Sequence, residues 1–260
     1  MPTYDTIGRF ATDTSWDTAG NWTSGEPIAG EDALLTEIGN AIVGSDQSGA
    51  DLASVYIDNT CLRQIGTLAV PVTLASNLVD VRGTTDRFIK AGGAGIDHVY
   101  VRMNSPEQKV FLFPSATNGL LTNVYVDVGY VTIVAETGNV TLAMVGPQGT
   151  LEIAAASGGV VTVVNAGRVI GRELITTLYN VGGTVDQERD ATDTLTTVRS
   201  MGGTLNFDYA GTIGTLQALG GRVNFNDNAE NKTVNTAIIG GTAVIDAGPH
   251  VAITPLVGSI

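Results

Sequence analysis

Residues 202–207 read GGTLNF and residues 220–225 read GGRVNF, two near copies of one short unit. The unit also opens as GGTVDQ at 182–187 and as GGTAVID at 240–246, so the glycine pairs recur at intervals of 20, 18 and 20 residues. Between them runs a second pattern: DTLTTV at 193–198, GTIGTLQAL at 211–219 and KTVNTAII at 232–239. Each unit reads as strand, Gly-Gly corner, strand and polar loop.

Side chains alternate faces along a strand. Leu205 and Phe207 therefore point one way while Thr204 and Asn206 point the other, and Val223 and Phe225 repeat this with Arg222 and Asn224 outward. A single unit cannot bury such a face, whereas stacked units make one continuous apolar column. The pairs Gly182 and Gly183, Gly202 and Gly203, Gly220 and Gly221, and Gly240 and Gly241 fall at the corners. There a positive φ or a close backbone approach excludes a Cβ. The period is shorter than most propeller blades, and the units lack the helical half of leucine-rich repeats. The pattern predicts an all-β chain, a parallel β-helix (β-solenoid) with ~20-residue rungs.

Upstream the repeat is looser but persists. GNVTLAM at 138–144, GTLEIAA at 149–155 and GGVVTVV at 158–164 enter strands through glycine, and VYVRMN at 99–104 and VYVDVGYVTIV at 124–134 alternate with period two. DLASVYID at 51–58 and IGTLAVPVTLA at 65–75 read similarly, and the rungs between about 75 and 135 are the least regular. A solenoid over 46–260 would hold about eleven rungs and, at ~4.8 Å per rung, measure roughly 50 Å. Its open ends must be covered, because a bare edge invites aggregation. Residues 1–45, polar and non-repetitive, are the expected N-terminal cap or docking segment. Trp16 and Trp22, the chain's two tryptophans, would either cover the first rung or, with Pro27, form an aromatic anchor for a partner. Pro249, Pro255 and the apolar stretch VAITPLVGSI are expected to close the far end.

Composition narrows the function. Hydrophobic residues make up 43% of the 260 residues, enough for a continuous core, while 33 glycines and only 15% charged residues favour short strands over helices. The net charge of −13 offers no basic face for nucleic acid or for an anionic membrane. No run of about 18 apolar residues is present to span a bilayer, and MPTYDTIGRF is not a signal peptide. The expected place of synthesis is a cytoplasm. Cys61 is the single cysteine, so an internal disulfide is impossible, and it reads as a small core or corner residue.

The search for catalytic chemistry returns little. His98 and His250 are isolated, and no metal-ligand spacing, nucleophile elbow or P-loop occurs. GGAGID at 92–97 reads as a turn. DQERDATD at 186–193 and NFNDNAENK at 224–232 lack the pattern of a calcium loop. No metal or cofactor is expected. The enzymatic alternative is polysaccharide cleavage by an acid pair on a solvent face, drawn from Asp80, Asp86, Asp97 and Asp127, with Arg82, Arg87, Lys90 and Arg102 nearby.

Three pieces in order, W…NW..G..P..GED (Trp16 to Asp32), ADLASVYIDNTCLRQIGT (residues 50–67) and the GGTL-type rungs, resemble β-helical virion-associated proteins of tailed bacteriophages. The resemblance spans nearly the whole chain, and its first piece is also similar to the start of autotransporter passenger domains. It implies a structural role on a virion, such as an accessory capsid (decoration or cement) protein, a head fibre or a tail component. It further implies a homo-oligomer, a trimer, docked to the major capsid protein or another virion protein, and it carries over no catalytic residue. The expectation is a virion protein rather than an enzyme. A tailspike-like polysaccharide-degrading enzyme and an adhesin module for a host-surface glycan are the alternatives.

Overall fold

A computed structural model describes residues 6–8, 15–36, 40–115, 120–134, 138–154, 160–172, 175–188, 194–208, 210–225 and 231–255. The strands are β1 (Thr6–Gly8), β2 (Asp32–Leu35), β3 (Asp46–Ile57), β4 (Val72–Gly83), β5 (Arg87–Met103), β6 (Lys109–Phe113), β7 (Leu121–Val134), β8 (Val140–Ala154), β9 (Val160–Asn165) and β10 (Arg168–Gly171). They continue as β11 (Ile175–Asn180), β12 (Thr184–Gln187), β13 (Thr194–Ser200), β14 (Thr204–Phe207), β15 (Gly211–Ala218), β16 (Arg222–Phe225), β17 (Lys232–Ile239), β18 (Val244–Ala247) and β19 (Val251–Pro255). One short 3-10 turn, Ala19–Asn21, is the only helical element among the described residues.

Every pairing between these strands is parallel, and each strand lies beside its counterpart one turn away. The chain is a β-solenoid of about ten turns, as its repeat predicts. In its C-terminal half two series alternate: β9, β11, β13, β15, β17 and β19 stack on one another, as do β10, β12, β14, β16 and β18. The longer β4, β5, β7 and β8 each contribute to both series.

The register explains the core. In the first series one inward column runs Ala33, Val55, Val79, Val99, Val124, Ala143, Val163, Leu178, Val198, Leu216 and Ala237. All eleven are buried. In the second series the column is Ile42, Ile65, Arg87, Val110, Val131, Leu151, Val169, Val185, Leu205, Val223 and Ile245. Aliphatic side chains stacked at ~4.8 Å, interrupted in the second column only by Arg87, keep water out along the axis.

The Gly-Gly corners sit where the repeat places them, between the two series. Gly203 has φ +70°, and a Cβ on it would lie 2.0 Å from the Gly183 carbonyl oxygen of the preceding turn. Gly221 repeats this at φ +75°, 2.4 Å from the Gly203 oxygen. Only glycine lets adjacent corners approach so closely. Just before the corners, the buried side chains of Asn165, Asn180 and Ser200 are stacked in register. Asn165 donates to Asn180 Oδ1 (3.0 Å), Asn180 donates to the Gly183 and Gly202 carbonyls (3.1 and 2.9 Å), and Ser200 donates to the Gly220 carbonyl (2.9 Å). These bonds satisfy corner carbonyls that the sheet ladder leaves over.

Two readings of the sequence need correction. Parallel stacking begins ahead of residue 46: β1 pairs with β2, β2 pairs with β3, and Ile42 heads the second inward column. Only part of the 1–45 segment is therefore cap, and the rest is rung. GGAGID lies inside β5 rather than in a turn; Gly93 (φ +52°) and Gly95 (φ +102°) kink the strand where its register with β4 shifts. Pro255 ends β19, which is itself a rung paired with β17; residues 256–260 of the expected closing stretch lie outside the described residues.

Candidate functional site

The first turns are covered by residues 15–31. Trp16 is fully buried and Trp22 nearly so, their rings meet at 4.7 Å and 59°, and the Trp22 indole N–H donates to the Trp16 carbonyl (2.7 Å). Both join the core cluster, and Pro27 is buried as well. Tryptophans buried to this degree offer a partner almost no surface. The tryptophans therefore act as the lid on the column, and their burial favours that reading over the anchor reading of Trp16 and Trp22, while Pro27 lines a surface groove at the same end.

The densest polar arrangement lies on the outer face of the middle turns. Tyr56, Asp80, Tyr100 and Tyr125 occupy one outward column on consecutive turns. Asp80 and Arg82 are two apart on β4 and so share a face. Arg82 grips the Asp80 carboxylate through Nε (3.3 Å) and Nη2 (2.9 Å). One turn on, Arg102 reaches the same carboxylate through Nη1 (3.3 Å) and Asp127 through Nε (3.2 Å). The Arg102 guanidinium also lies 4.9 Å from the centre of the Tyr100 ring, which stacks on Tyr125 at 4.5 Å and 9°. His98 leans on both tyrosines, and Asn123 lies within hydrogen-bonding distance of its Nδ1 (3.4 Å).

This face brings together two of the four carboxylates proposed for sugar cleavage, and separates the other two. Asp86 accepts the Lys109 backbone N–H at a corner, and Asp97 accepts the Thr122 hydroxyl. Glycosidase carboxylates stand roughly 5–9.5 Å apart with the scissile bond between them. Here Arg102 occupies the gap between Asp80 and Asp127 and bonds to both. The arrangement is a charge ladder, not an open acid pair. Its arginines keep 47% and 40% exposure, so each ion pair contributes only about 0–1 kcal/mol.

Of the basic residues grouped with those acids, Arg87 departs most from its reading. It lies in the second inward column, fully buried. Its Nη2 donates to the Cys61 carbonyl (2.6 Å) and its Nη1 to the Arg63 carbonyl (2.8 Å) and the Thr85 hydroxyl. Burial lowers its pKa, a shift partly opposed by Cys61 and Asp86. Arg87 thus pins the 58–64 corner from inside. Beside it, the buried Cys61 thiol is pushed up by burial, against the pull of Arg87. A thiol held protonated is a poor nucleophile.

A second polar cluster, not anticipated from sequence, lies on the other outer face. Tyr130 donates to Glu152 Oε2 (2.8 Å), and Arg172 bridges Glu152 (2.9 Å) and Glu188 (3.2 Å). Burial first, and the Glu152 bond second, push the Tyr130 phenol up to about 12. Residues 130, 152, 172 and 188 come together because successive turns stack in parallel register, and their unequal spacings of 22, 20 and 16 hide the cluster in the sequence. No group of three or more His, Cys, Asp or Glu is placed to hold a metal ion among the described residues. No family model, curated protein or solved structure matches the chain.

Proposed function

We propose that this chain is a non-catalytic structural protein of a larger particle, and, on the resemblance of its ordered motifs, an accessory protein of a tailed-phage virion. The observation that supports this most is the ladder on the middle turns, where Asp80, Asp127, Arg82 and Arg102 bond to one another rather than facing an open cleft. A rod whose charged groups are tied turn to turn is suited to display and reinforcement. Its contacts would be spread along a rigid surface, with an oligomer, a trimer on that resemblance, multiplying weak ones. Co-sedimentation of the purified chain with particles from its source tests the reading. Saturable pelleting at a fixed ratio to the major shell protein is the expected result, and a chain left wholly in the supernatant contradicts it.

A glycan-binding role is the second reading, favoured by the Tyr100–Tyr125 stack beside Arg82, His98 and Asn123. A glycan array distinguishes the two, because an inert reinforcing protein gives no hits.

A further inference from the structure

The chain's negative charge is not spread along the rod. Residues 1–58 hold ten Asp and Glu against one Arg, and so carry nine of the thirteen net negative charges. Residues 15–58 contain eight carboxylates and no Lys, Arg or His at all. This stretch builds the covered end of the solenoid, β2 and β3.

A groove of about 500 Å³ opens there between the covering segment and the start of β3. Asp17, Glu26 and Asp46 line it beside Pro27, Ile28, Ala29 and Ala50. The carboxylates accept from neutral donors: Gln47 Nε2 reaches Asp17 (2.6 Å) and Glu26 (3.4 Å), and the Ser48 N–H reaches Asp46 (3.0 Å). Ile28, beside them, is 64% exposed. The groove thus pairs an apolar wall with carboxylates that form no ion pair among the described residues, and its volume falls within the roughly 300–1,000 Å³ of ordinary binding sites.

We infer that this groove docks a cationic segment of a partner protein, an extended Lys- or Arg-bearing stretch with a small apolar side chain set against Ile28. Complementarity of charge is what selects the occupant: several separated carboxylates match a row of ammonium or guanidinium groups. They do not converge as a metal-ligand set among the described residues. The inference deepens the structural reading by giving the docking end and its partner's chemistry, and it rests on that reading only for the identity of the particle. The groove itself is testable without any particle.

The probe is a fluorescein-labelled decapeptide of alternating lysine and alanine, titrated with the full chain and read by anisotropy. Binding should weaken roughly tenfold or more between about 20 and 200 mM NaCl, as screening predicts. The triple variant Asp17→Asn, Glu26→Gln, Asp46→Asn should lose roughly tenfold in affinity at low salt, while Glu107→Gln, Asp208→Asn, Asp246→Asn, with the same change in net charge, should lose none. Ile28→Ser, at an exposed position that tolerates substitution, should lose a smaller factor and guards against misfolding of the triple variant. Equal losses in both triple variants, or none in the groove variant, overturn the inference. So does stoichiometric binding of Ca²⁺ alone that the groove variant abolishes, since the groove would then be a cation site. If the peptide binds as expected but the chain ignores particles, the virion reading fails and the groove stands.

Discussion

The two halves of the solenoid solve the same stacking problem by different means. From Val131 to Val223 successive core residues are 16–20 apart, the inward column is wholly aliphatic, and Gly-Gly corners with an Asn–Ser ladder turn the chain. From Ile42 to Val131 the steps are 21–23 residues, the strands are interrupted by register shifts, and an arginine sits in the column. The regular half is held by repetition of similar residue types at matching positions turn after turn. The irregular half is held by single groups without a counterpart: the Trp16–Trp22 lid and the Arg87 pin. It also carries most of the charge and the densest polar face.

That contrast predicts where substitutions act. The largest effect should come from Trp16→Ala, which uncovers the end of the column and leaves a large cavity; a loss of about 3–5 kcal/mol in chemical denaturation is expected. Arg87→Ala should follow, at roughly 3 kcal/mol, from the cavity and from the Cys61 and Arg63 carbonyls left without their donor. The same change should expose Cys61: a disulfide reagent that leaves the folded wild type untouched should label the variant. If Arg87→Ala is neutral and Cys61 stays inert, the pin is not needed.

In the regular half the expected effects are smaller and depend on position within a glycine pair. Gly203→Ala forces a Cβ onto a backbone carbonyl at positive φ and should cost about 2 kcal/mol or more. Gly182→Ala meets nothing within 4 Å and should cost under about 0.5 kcal/mol. Equal losses at the two sites would remove the close corner approach as the reason for the motif. The smallest effect concerns pH. The Tyr130 pKa is raised in the fold, so its contribution is complete below about pH 10, the ordinary tyrosine value, and is lost as pH rises through about 12. Tyr130→Phe should remove that alkaline dependence, together with a late-titrating phenolate in the ultraviolet difference spectrum.

How much of this was legible follows the same division. The Gly-Gly units and their alternating strands state the regular half outright, because identical turns must repeat identical residue types. The start of the stack was not legible: β1 has three residues, and residues 9–31 separate it from β2. By residue type alone Arg87 groups with the surface cations Arg82, Lys90 and Arg102. Yet in Arg87-Phe88-Ile89-Lys90 the period-two pattern puts Arg87 on the face of Ile89, so the inward placement was there to be read. For the Trp pair the sequence leaves lid and anchor as rivals, and burial favours the lid. The acidic end was hidden by summing charge over the whole chain; the run from 15 to 58 without a single cation is its signature.

The central claim is that both halves form one uninterrupted stack. Outward residues Tyr56, Asp80, Tyr100, Tyr125, Met144, Val164, Tyr179, Arg199 and Gln217 follow one another turn by turn. Nitroxide pairs at cysteines replacing Tyr56 and Gln217, and replacing Met144 and Gln217, measure that column by pulsed dipolar spectroscopy. Eight steps and four steps at ~4.8 Å predict distances of about 38 Å and about 19 Å, in a ratio near two. A longer distance well short of twice the shorter one would mean that the irregular turns do not continue the stack.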